Sequence, residues 1–114
     1  MLLSRNGVLK ICDFGFARTL MKAENAKFTD YVSTRWYRAP ELLVGDNNYG
    51  KAVDVWAIGC IFVELLTGRP LFTGDSDYET LRMILETFHG SEELPERLKH
   101  AFYNNYCFSN AQLP

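Results

Sequence analysis

The feature that most constrains this chain is the run from Lys51 to Thr67, KAVDVWAIGCIFVELLT. Only Lys51, Asp54 and Glu64 carry charge, and apolar residues occupy nearly the whole helical wheel. A surface helix confines its apolar residues to one stripe, whereas a helix apolar all round is normally buried on every side in the core of a larger protein. About 50 residues flank the run on each side, partly without regular pattern, which is little material for wrapping a helix completely. We therefore expect further chain to cover it. Its most apolar part, Val55 to Val63, is bracketed by Asp54 and Glu64 and falls short of the ~20 residues needed to span a bilayer, so no membrane partner is expected.

The rest of the chain divides around this helix. Leu2-Leu3 and Val8 to Cys12 read as two short strands about Asn6-Gly7, a strong two-residue hairpin signal because both positions tolerate φ > 0. Val8, Leu9, Ile11 and Cys12 around the single Lys10 suit a mostly buried strand that ends at Asp13-Phe14-Gly15. Residues 16 to 33 sustain no period, and loops of that length in compact domains are usually functional. Pro40 as a first helical residue, with Glu41 in the first turn, predicts a short helix through Leu43. Gly68-Arg69-Pro70 stops the apolar helix. Ser76 and Glu79 form a capping box, and Tyr78, Leu81, Ile84, Leu85 and Phe88 then recur at helical spacing, predicting an amphipathic helix over 76–89. A shorter helix is expected from Ser91 to Phe102, with Leu94, Leu98 and Phe102 on one face. The fold class is α+β, mostly α.

Charge and cysteine usage narrow the partners. Twelve basic against 14 acidic side chains give a formal net charge of −2, so no large basic surface exists to bind nucleic acid by counterion release. Cys12, Cys60 and Cys107 are odd in number and lack CxxC spacing; they read as reduced thiols of an intracellular protein, in cytoplasm or nucleus, without zinc or a disulfide framework. Cys60 suits packing. His89 and His100 suit surface or cap positions, since no metal-ligand spacing links them.

Three strings occur in order: Asp13-Phe14-Gly15, Ala39-Pro40-Glu41 and Asp54-Val55-Trp56-Ala57-Ile58-Gly59. Together they resemble the activation segment and following helix of protein kinases. Each alone could be a turn or a packed helix; in register, with Thr34-Arg35-Trp36-Tyr37-Arg38 between them, they are very specific. That last string is similar to the branch holding cyclin-dependent and mitogen-activated kinases, and the chain most resembles the cyclin-dependent kinase-like subfamily. The resemblance weakens after about Phe88. It implies a partial protein-kinase domain over 1–114, part of the C-terminal lobe. Within it, 13–41 would be the activation segment, 51–67 the buried helix and 76–89 the amphipathic helix.

The resemblance also assigns roles. Asp13 would hold Mg²⁺ against the phosphates of ATP, Gly15 would allow the turn, and Phe14 would pack beneath it. Thr29 and Tyr31 resemble a dual phosphorylation motif acted on by an upstream kinase, with Arg18 a ligand for phosphothreonine and Arg35 and Arg38 receivers of phosphotyrosine. The plainer reading of these residues is solvent-exposed hydroxyls and surface arginines. Thr34 marks a Ser/Thr preference, and Trp36, Tyr37 and Arg38 would form the pocket for the residue after the phosphoacceptor in a protein substrate; for Trp36 and Tyr37, core packing is compatible with this. Glu41 and Asp54 would be structural, with partners outside this chain. Whether a cyclin-like partner is required stays open. No Gly-rich loop, Val-Ala-Ile-Lys strand or His-Arg-Asp loop occurs in the sequence, so the chain alone is expected not to catalyse phosphoryl transfer. The alternative is a short, non-catalytic, kinase-derived binding module.

Overall fold

The computed structural model describes residues 1–17, 34–88 and 96–104. Strands β1 (Leu2–Leu3) and β2 (Leu9–Lys10) pair antiparallel, Leu2 opposite Lys10 and Leu3 opposite Leu9. The connection is not the two-residue Asn6-Gly7 turn that the sequence suggests. Gly7 N–H donates to the Ser4 carbonyl at 3.0 Å and Ser4 N–H to the Val8 carbonyl at 2.9 Å. Of Asn6 and Gly7 only Gly7 has positive φ, 76°. This is a three-residue loop: a turn through Arg5 and Asn6, then a left-handed glycine. The expected buried strand is also corrected, because all of β1 and β2 is exposed and Ile11 keeps 68% of its surface.

A 3-10 turn at Arg35–Tyr37 leads into helix α1 (Pro40–Leu43), which starts on Pro40 as expected. Helix α2 (Ala52–Thr67) ends on Gly68, whose φ of 74° lets its N–H reach the Glu64 carbonyl at 2.7 Å. Within this chain α2 is not buried on every side. Val53, Trp56, Ala57, Cys60, Ile61, Val63 and Glu64 form a covered or half-covered stripe at helical spacing. Val55, Ile58, Phe62, Leu65 and Leu66 face outward, 60–72% exposed.

Helix α3 (Asp77–Thr87) lies inside the expected 76–89 span. Its cap is the one legible in sequence: Ser76 Oγ accepts from Glu79 N–H at 3.1 Å, while Glu79 Oε2 accepts from Asp75 N–H at 2.9 Å. Thr80 is fully buried and donates to the Ser76 carbonyl at 2.9 Å. Gly74 is required beside it, since an added methyl would stand 2.7 Å from the Cα of Thr80. Helix α4 (Glu96–Asn104) runs past the expected end at Phe102.

These helices share one core of Leu43, Val44, Cys60, Phe72, Leu81, Ile84 and Phe102. Trp56 stacks on Phe72 with centroids 5.9 Å apart and planes 15° from parallel, and Phe88 flanks it at 6.1 Å. The Trp56 Nε1 donor is buried without a partner among the described residues, an arrangement that costs about 1–3 kcal/mol. No described helix is long and apolar enough to cross a membrane.

Candidate functional site

Asp13 lies beyond the end of β2, exposed, and is the only described non-glycine residue with positive φ, 63°. L-residues avoid that region; Asp enters it more readily than most because its short side chain bonds locally. Here Asp13 Oδ1 lies 3.5 Å from Gly15 N–H, at the limit of a hydrogen bond. The left-handed residue of the turn is therefore Asp13. A methyl at Gly15 would meet Asp13 Oδ1 at 3.4 Å, the edge of an ordinary van der Waals contact. Phe14 does not pack beneath the turn; the residue is 67% exposed. The Asp13 carboxylate has no ion pair among the described residues, and no described group of three or more His, Cys, Asp or Glu side chains is placed to hold a metal. An exposed carboxylate on a fixed turn fits a hard cation as one oxygen ligand among several, and Mg²⁺ is commonly bound through one or two carboxylates plus substrate phosphates.

The second part of the site is the turn 34–38, which leans on both long helices. Arg38 N–H donates to the Arg35 carbonyl at 3.0 Å, closing the turn. Arg35 Nε reaches Asp77 Oδ1 at 2.9 Å and Arg38 Nη1 reaches the same oxygen at 3.1 Å, fixing the turn to the first residue of α3. On the other side Tyr37 Oη donates to Glu64 Oε2 on α2 at 2.6 Å. That hydrogen bond, followed by burial and the charge of Glu64, holds the Tyr37 phenol above its ordinary pKa of 10.0. Trp36 is half-buried. Thr34 is exposed at the start of the turn, and its side chain makes no cap bond.

Other expected residues are placed differently or not at all. Arg18, Thr29 and Tyr31 lie outside the described residues. Glu41 is half-buried in α1, and Asp54 is exposed in the first turn of α2, where the helix dipole favours a negative charge. Neither carboxylate forms an ion pair with a described residue. Cys60 is buried, and desolvation raises its pKa and keeps it a thiol.

Sequence reasoning missed Asp77 and Glu64, the two carboxylates that hold the turn. Glu64 had left a signal: a lone acid on the covered stripe of an apolar helix needs a donor. Asp77 left none, because an acid in the first turn of a helix is accounted for by the dipole alone.

Residues 1–111 match the protein kinase domain family. All 114 residues align at 56% identity with cyclin-dependent kinase-like 2 of Oryctolagus cuniculus, covering 19% of that protein. Identity is 51% to cyclin-dependent kinase-like 4 of Mus musculus, of which the chain covers 32%, and 48% to cyclin-dependent kinase-like 5 of Mus musculus, of which it covers 12%. The chain thus spans about a third or less of the length of these relatives.

Proposed function

The chain belongs to the protein kinase family, and from that premise we propose that it is the activation-segment part of a kinase that phosphorylates serine or threonine in protein substrates. The observation that carries this reading is the docked turn 34–38, in which Arg35, Tyr37 and Arg38 each hydrogen-bond to a helix and leave Thr34 exposed. Such a turn is a fixed shelf against which an extended peptide can lie. Thr34 would face the acceptor hydroxyl, and Trp36, Tyr37 and Arg38 would receive the residue that follows it.

Asp13 would be one ligand of Mg²⁺, with Phe14 and Gly15 beside it on the same turn. Held there, Mg²⁺ would supply positive charge against the phosphates of ATP. Phosphorylation of Thr29 and Tyr31 by an upstream kinase would add nearly two negative charges at each site. By the family resemblance, Arg18, Arg35 and Arg38 would be the cations that receive them. For Arg35 and Arg38, such a phosphate would meet donors already occupied by Asp77.

The test is Asp13→Ala in a protein that carries this segment within a complete kinase domain. Phosphate transfer to protein substrate should fall by about a thousandfold or more, with metal-free nucleotide binding retained. Unchanged transfer would remove Asp13 from the metal site.

A further inference from the structure

We propose that Asp77 is a positioning residue: its carboxylate occupies the anion site formed by Arg35 and Arg38 and holds the turn 34–38 on α3 without any added phosphate. This rests on the reading of that turn as the substrate pocket.

The convergence of the two arginines is local. Residues three apart in a 3-10 turn eclipse one another, so Arg35 and Arg38 are brought to the same side of the turn by its geometry. Two guanidinium groups on one side repel unless an anion lies between them. That anion comes from far along the chain. Asp77 Oδ1 accepts both, at 2.9 Å from Arg35 Nε and 3.1 Å from Arg38 Nη1.

Asp77 is held on a rigid platform. It follows the Ser76 cap directly, Tyr78 packs against the core, and Thr80 and Leu81 are buried one turn on. The carboxylate is therefore presented, not drawn in from a flexible segment. Among the described residues only Oδ1 is engaged, and the Asp77 side chain is 36% exposed, so the site opens to solvent. A phosphate offers the same donors more acceptor oxygens and more charge. The site is thus built for an anion, and the chain supplies its own.

Asp77→Asn keeps the shape and removes the charge. In the complete kinase it should raise the KM for a peptide substrate about tenfold, leave kcat and the KM for ATP within about twofold, and regain its peptide KM in added inorganic phosphate. Asp77→Glu should stay close to wild type. A wild-type peptide KM in Asp77→Asn, a loss shared equally by kcat and ATP binding, or a loss that phosphate does not relieve would overturn the positioning role.

A binding readout separates the anion site from the pocket reading. Inorganic phosphate should raise the Tm of Asp77→Asn and leave wild type and the double variant Asp77→Asn/Arg38→Ala unmoved. If phosphate shifts the Tm while no peptide KM changes, the pocket reading fails and Asp77 remains the occupant of the anion site. If phosphate shifts wild type and Asp77→Asn alike, or neither, the occupancy itself is wrong.

Discussion

The two sides of α2 carry the same kind of residue and meet opposite fates. On the inner side Trp56 and Cys60 pack with Phe72, and Glu64 finds the Tyr37 hydroxyl. On the outer side Ile58, Phe62 and Leu65 are equally apolar and remain exposed, like Leu3, Leu9 and Ile11 of the hairpin region. Hydrophobicity alone does not bury a residue; a second element must close over it. For the inner side that cover comes from both directions, Tyr37, Leu43 and Val44 before the helix and Phe72, Leu81 and Ile84 after it. The outer side offers contiguous apolar area of the kind that marks an interaction surface.

The sharpest way to break this comparison is to truncate one residue from each side in the 114-residue polypeptide. Phe72→Ala should cost about 3–5 kcal/mol, whereas Leu65→Ala should stay within about 0.5 kcal/mol. Hydrogen exchange of the α2 amides reads both without requiring a global transition. Comparable costs would mean that the outer face is covered as well as the inner.

A smaller effect tests how the inner side is closed. Gly74→Ala forces a methyl against Thr80, and the shift needed to admit it should cost about 1–3 kcal/mol and loosen the start of α3. Thermal unfolding checks it. A neutral outcome would show that the Gly74 backbone moves aside freely, and that the tight approach is incidental.

The smallest effect concerns the polar link from the turn to α2. Because the folded state raises the Tyr37 pKa, its contribution to stability is complete below the ordinary pKa of 10.0 and is lost as pH rises through the higher folded value. Stability measured against alkaline pH should therefore slope downward above about pH 10, less steeply in Tyr37→Phe than in wild type. Identical slopes would show that Glu64 is not the partner that matters.

These contrasts also explain what could be read in advance. Pro40, Gly68 and the Ser76/Glu79 pair act on their own few neighbours, and α1, α2 and α3 begin or end where those residues say. The hairpin was legible in its pairing but not in its turn, because Asn6-Gly7 is compatible with two loop lengths and only the φ of Asn6 separates them. The kinase motifs pointed to Asp13 and to Thr34 to Arg38 as candidate parts of a site. Its fastenings were hidden, since Arg35 and Asp77 lie 42 residues apart and nothing local in either segment refers to the other.

The fastening of the turn has a further consequence in statics. A rigid piece held by one link can swing; held at two separated points by links in different directions, it can move only if its supports move. Tyr37 ties the turn to α2, and Arg35 and Arg38 tie it to α3. The shelf is thus a truss spanning two beams, and its width is set by the angle between them. A force that tilts α3 against α2, applied anywhere along their length, is delivered to the residues between Thr34 and Arg38.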